Sequence, residues 1–117
     1  MASKNRGTER ISEAPRVHPE GRSRTRLLNT IRDAAVAGYG GRLVSLAVFG
    51  SYARGTDGPS SDIDLLAVVD QLPARRWDRW AEWDAVEAEI PTRLNGAVPL
   101  PLAAIITSPE AIALTDV

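Results

Sequence analysis

Val48-Phe49-Gly50-Ser51-Tyr52-Ala53-Arg54-Gly55-Thr56, followed three residues later by Ser60-Ser61-Asp62-Ile63-Asp64-Leu65-Leu66, is the stretch that decides the fold of this 117-residue chain. The run Leu43 to Phe49 is apolar but for Ser45, with β-branched and aromatic members, and is short enough to be a buried strand. Between Gly50 and Ser61 lie three glycines, a proline and three serines, a loop by composition. Asp62 to Val69 reads as a second strand, with Asp62 and Asp64 on one face and Ile63, Leu65 and Ala67 on the other. Strand geometry sets the two aspartate Cα atoms roughly 6 to 7 Å apart, so both carboxylates reach a shared hard cation. Gly50 has no Cβ and lets a phosphate approach the backbone, while the Ser51 hydroxyl and N–H, at the start of a helix, can donate to phosphate oxygens.

Outward from this core, Leu27, Leu28, Ile31, Ala34 and Ala35 fall at helical spacing from Ser23 onward, with Gly38, Gly40 and Gly41 as the stop. Downstream, Pro73 opens a helix to about Ile90 in which Trp77, Trp80, Trp83, Val86 and Ile90 recur every three or four residues and are expected in the core. Val98 to Thr107 is expected to be a third strand, pushed towards a sheet edge by Pro99 and Pro101. Its residues Leu100, Leu102 and Ala104 share the face expected to look towards Asp62 and Asp64, with Pro101, Ala103 and Ile105 against a helix. Ser108, Pro109 and Glu110 read as the N-cap, first residue and first-turn acid of a last helix. The order is helix, strand, loop, strand, helix, strand, short helix, an α/β (α+β) arrangement.

Gly50-Ser51, ten residues, then Asp62-Ile63-Asp64 resembles the signature of the minimal nucleotidyltransferases of the DNA polymerase beta superfamily. The match covers Leu43 to about Val69 closely and agrees with the rest in element order only. The resemblance implies a polymerase-beta-like fold, a small mixed sheet flanked by helices. It assigns Gly50 and Ser51 to the nucleoside triphosphate, Asp62 and Asp64 to Mg²⁺ or Mn²⁺ and to catalysis, and Arg54 to a phosphate. In such enzymes a hydroxyl attacks the α-phosphate and pyrophosphate leaves. Active members usually add a third carboxylate on the strand after the helix, completing the metal site and helping to deprotonate the acceptor. Here the strand contains no acid, and Asp57, Asp70, Glu87, Glu89 and Glu110 all lie elsewhere. Two carboxylates still hold Mg²⁺ when triphosphate oxygens supply other ligands, and an Asp at Leu100 or Leu102 is the expected way to complete the set. The chain is also similar to the minimal members that work as antitoxins beside a helical HEPN-type protein, and this resemblance makes such a partner an expectation.

Composition narrows the alternatives. Hydrophobic residues at 44% and charged residues at 25% suit a globular protein. Without cysteine there is no thiolate zinc site or cysteine nucleophile, and the single His18 builds no histidine cluster. No apolar run approaches the roughly 20 residues of a membrane span, and Met1 to Arg10 lacks the apolar stretch of a secretory signal, so a cytoplasmic protein is expected. Met1 to Arg32 carries +5 and the remainder −6; residues 1–19, with few large apolar side chains and with Pro15 and Pro19, read as a basic, flexible extension, and 20–117 as the domain that resembles the nucleotidyltransferases. Three functions follow: transfer of a nucleoside monophosphate, AMP from ATP, to a hydroxyl of a protein, RNA or small molecule; a non-catalytic module that neutralises a partner by contact; and nucleic-acid binding through the basic leader.

Overall fold

The structure is a computed structural model that describes residues 19–115. The basic extension therefore lies outside the described residues but for Pro19, which already belongs to the first helix. The elements are α1 (Pro19–Tyr39), a 3₁₀ turn (Gly40–Arg42), β1 (Leu43–Phe49), α2 (Gly50–Arg54), β2 (Ile63–Val69), α3 (Arg76–Leu94), β3 (Leu102–Thr107) and α4 (Pro109–Thr115). The segment read as a loop from composition opens with the single helical turn α2, closed by Gly55 in the left-handed region. The third strand begins at Leu102, after both prolines rather than through them.

The sheet order is β1-β2-β3. β1 and β2 are antiparallel, while β2 and β3 are parallel and joined through α3, the crossover that parallel pairing requires. Central β2 is the hydrophobic keel: Ile63, Leu65, Ala67 and Val69 are fully buried. They pack against Leu27, Ile31, Ala34 and Ala35 of α1 and Trp83, Val86 and Ile90 of α3. Burial of each large side chain stabilises the fold by about 1.5 to 3 kcal/mol.

α1 and α3 approach closely at Gly38, where a Cβ would stand 2.5 Å from Val86 Cγ2. Gly38 is thus a packing residue inside α1, and the helix ends one residue later, where Gly40 takes a φ of +61°. Arg42 fastens the two ends of the antiparallel pair to α3. It donates to the Asp70 carbonyl at 3.1 Å and the Gln71 carbonyl at 3.2 Å and pairs with Glu82 at 2.9 Å. The expected cap of the last helix is present, with the Ala111 N–H donating to Ser108 Oγ at 3.1 Å.

Two expectations fail. Trp83 is buried, but Trp80 is 43% and Trp77 76% exposed, so the tryptophan series leaves the core as it runs back towards the helix start. The faces of β3 are also inverted. Leu102, Ala104 and Ile106 pack on the helical core, as does Leu100, which precedes the strand. Ala103 and Ile105 lie on the other face, as register partners of Asp64 and Leu66. Pairing decides this: Asp64 must face away from the core, and its partner faces with it.

Candidate active site

The face of the sheet turned away from α1 and α3 carries both aspartates. Ile63, fully buried, sits between Asp62 and Asp64, so strand alternation turns both aspartates away from the helices. Asp62 is exposed one residue before β2, and Asp64 is half-buried as its second residue. The extended backbone at Asp62 is held by Ile63, whose N–H donates to the Pro101 carbonyl at 2.8 Å.

Phe49 is the register partner of Asp64, so the strand that ends in Gly-Ser and the strand that opens with the aspartates meet at this point. Gly50 has a φ of +75°, and a Cβ there would collide with Asp64 Oδ2 and stand 3.2 Å from its Cγ. Glycine is required twice, by the left-handed backbone and by the carboxylate packed against it. The reading of Gly50 as a place for close phosphate approach thus gains a second cause that lies within the protein. The open first turn of α2 and the Asp64 carboxylate are immediate neighbours.

Ser51 is half-buried in that turn. Its carbonyl accepts the Thr56 N–H at 2.9 Å, which folds the following chain back onto α2. Tyr52, 7% exposed, roots α2 in the core. Burial pushes its phenol above the ordinary value, Arg24 opposes the rise and Asp57 adds to it. Arg54, the last residue of α2, is exposed.

Among the described residues none of the other carboxylates completes a triad. Asp57 is turned to Arg24 at 2.6 Å, Glu89 to Arg93 at 3.3 Å, and Asp70 follows the far end of β2. Among the described residues no group of three or more His, Cys, Asp or Glu side chains is placed to hold a metal. The position facing Asp64 on β3 belongs to Ala103, so Leu100 and Leu102 are the wrong places for an added acid. Two carboxylates and the hard oxygen donors of a triphosphate still match Mg²⁺, so the pair fits the metal only together with its nucleotide. A cavity of about 540 Å³ between Ala74, Arg76, Arg79, Trp80 and Ile106 contains none of these residues.

Sequence reasoning missed the contact of Arg24 and Asp57 with α2 and its loop. The two are 33 residues apart, and no local pattern pairs them.

The nucleotidyltransferase domain family matches residues 28–96. A stretch of 41 residues is 54% identical to a Methanocaldococcus jannaschii protein provisionally named a protein adenylyltransferase, and covers 35% of this chain and 28% of that one. A stretch of 62 residues is 32% identical to an aminoglycoside nucleotidyltransferase (4′) of Staphylococcus aureus, and to one of a Bacillus species, covering 51% of this chain and 24% of each. The matched stretch spans about a quarter of the length of these relatives. No solved structure matches the chain significantly. Among the described residues no helix is long and apolar enough to cross a membrane. With a Gly-Ser turn packed on an Asp-X-Asp strand and a family match over more than half its length, the chain belongs to the nucleotidyltransferases of the polymerase beta superfamily.

Proposed function

We propose that the chain binds a nucleoside triphosphate, ATP, with Mg²⁺ or Mn²⁺ on the face of its sheet turned away from α1 and α3 and passes AMP to a hydroxyl of a protein, RNA or small molecule. The observation that carries this reading is the contact of Gly50 with the Asp64 carboxylate, which sets phosphate-binding backbone beside a metal ligand. In this reading Asp62 and Asp64 hold the metal, which neutralises charge on the triphosphate when bound. Ser51 donates its hydroxyl to a phosphate oxygen, the first turn of α2 offers N–H groups, and exposed Arg54 meets a phosphate from solvent. The acceptor oxygen bonds to the α-phosphorus as the bond to the pyrophosphate oxygen breaks. The hydroxyl proton goes to solvent or to a base brought by the acceptor.

Ala103 opposite Asp64 favours a second reading, a nucleotide-binding module that neutralises a partner by contact, in the manner of an antitoxin facing a helical HEPN-type protein. The cytoplasm, where nucleoside triphosphates are abundant, is the compartment we assign to either role. Nucleic-acid binding through the basic leader is supported by its charge alone. The deciding experiment incubates the chain with α-labelled nucleoside triphosphate and Mg²⁺, with and without the product of the adjacent gene. Label transferred to any acceptor supports the enzyme; Mg²⁺-dependent binding without transfer supports the module. Absence of both would overturn the metal-nucleotide site.

A further inference from the structure

The half of the site that offers Ser51 and the half that offers Asp62 are joined by residues 55–62, a segment with no helix or strand. Its own hydrogen bonds are local. The Thr56 N–H reaches back to Ser51, Gly58 N–H donates to Ser61 Oγ at 2.9 Å, and Ser61 N–H donates to the Gly58 carbonyl at 3.1 Å. These bonds shape the two ends of the segment and leave its middle to be placed by something else.

Arg24 of α1 places it. One guanidinium nitrogen donates to Asp57 Oδ1 at 2.6 Å. Another lies 3.4 Å from the Tyr52 carbonyl, and the guanidinium carbon stands 4.4 Å from the centre of the Tyr52 ring. A single side chain thus grips α2 through Tyr52 and the connecting segment through Asp57. The Asp57 side chain is only 10% accessible and that of Arg24 is 36% accessible, so this is a short, charge-assisted contact buried on its acid side. Arginine suits the task because its planar fork stacks on an aromatic face while donating at its edge.

We infer that Arg24 and Asp57 are positioning residues that fix the distance between the phosphate-binding turn at Ser51 and the metal ligand Asp62. The inference rests on the assignment of Asp62 and Asp64 as metal ligands. It assigns no contact with substrate to Arg24 or Asp57; their effect passes through the segment they hold. Residues that orient metal ligands from behind typically change metal affinity 10- to 100-fold when removed.

The test uses the full chain and the variants Asp57→Asn, Arg24→Ala, Arg24→Lys and the double variant Asp57→Asn/Arg24→Ala. ATP binding is titrated by calorimetry across Mg²⁺ concentrations and in EDTA, and amide hydrogen exchange is followed by mass spectrometry. The expected result is a roughly 10-fold rise in the Mg²⁺ needed for half-maximal ATP binding in Asp57→Asn and in Arg24→Ala. Metal-free ATP binding stays within about twofold, and exchange quickens over residues 55–62 but not in α1, α3 or β2. Arg24→Lys, which keeps the charge, recovers part of the loss, and the double variant is no worse than either single one because both break the same tie. Unchanged exchange over 55–62, an unchanged Mg²⁺ requirement, or additive losses in the double variant would overturn the inference. So would loss of protection throughout the core in both Asp57→Asn and Arg24→Lys, which marks the pair as a general prop of the fold. If the wild-type chain shows no Mg²⁺-dependent ATP binding, the metal assignment itself fails, and exchange over 55–62 alone then decides whether the pair holds the segment.

Discussion

Gly50 and Asp64 show how far a single residue can be read from its neighbours. The motif named both, because Gly-Ser and Asp-X-Asp stand at a recognisable spacing. The reason for Gly50 was not legible, since it depends on a carboxylate 14 residues away that only strand pairing brings against it. This alters what a mutation there can teach. Gly50→Ala meets both the positive φ and Asp64, so it is expected to lower thermal stability as well as nucleotide affinity. Cleaner tests lie on either side. Ser51→Ala removes only a hydroxyl and is expected to weaken triphosphate binding by about 1 to 3 kcal/mol, read by calorimetry, with the melting temperature unchanged. Asp62→Asn and Asp64→Asn keep side-chain shape and remove a charged ligand. Each should abolish the Mg²⁺-dependent part of ATP binding, and an unaltered Mg²⁺ titration in both would show that the pair merely solvates a strand end.

At the scale of the element, the spacing of three that suggested a tryptophan core in α3 is itself the reason the series fails. At about 100° per residue, Ile90 falls close to the direction of Trp83, while Trp80 is rotated by about 60° and Trp77 by about 120°. The exposures of 2%, 43% and 76% for Trp83, Trp80 and Trp77 follow that rotation. The element and its apolar face were legible; the place where the face ends was not, because it depends on where α1 and the sheet stop covering it. Trp83→Ala is therefore expected to cost about 3 to 5 kcal/mol in denaturant unfolding, and Trp77→Ala less than about 0.5 kcal/mol. The end of α1 offers a second test. The Tyr39 hydroxyl is buried without a hydrogen-bond partner among the described residues, and burial, reinforced by Glu82 and opposed by Arg42, pushes its pKa up from 10.0 to about 12. The folded state holds this proton more tightly than the unfolded one. The group leaves stability unaffected below pH 10 and lowers it as the pH rises from 10 towards 12, because the unfolded chain ionises first. Tyr39→Phe should be at least as stable at neutral pH, and its alkaline melting curve should fall less steeply than that of the wild type.

For the whole molecule, the sheet register decides what the site can do, and register is the property least visible in a linear sequence. The alternation along β3 is legible, but which of its two faces joins Asp64 is a fact about pairing, and a shift of one residue exchanges the faces. The apolar run from Val98 drew the strand boundary too early, through Pro99 and Pro101, and placed Leu100 in the strand; the wrong choice of face is a matter of pairing. With Ala103 opposite Asp64 and Leu102 and Ala104 packed on the helices, an acid at Leu102 would enter the core and destabilise the fold without touching a metal. Ala103→Asp instead sets a carboxylate on the face turned away from α1 and α3, beside Asp64, where it adds an oxygen ligand and a base for the acceptor hydroxyl. Parallel neighbours lie about 4.8 Å apart, within reach of a shared cation. If the wild-type chain transfers nucleotide weakly, Ala103→Asp is expected to raise the rate by about 10² to 10⁴, the usual worth of a positioned general base. Its melting temperature should stay near the wild-type value, since Ala103 is outside the core, whereas Leu102→Asp should lose several degrees and gain no activity. Equal rates in wild type and Ala103→Asp, with Mg²⁺ binding tightened, would mean that the added acid serves the metal alone and that the base must come with the acceptor.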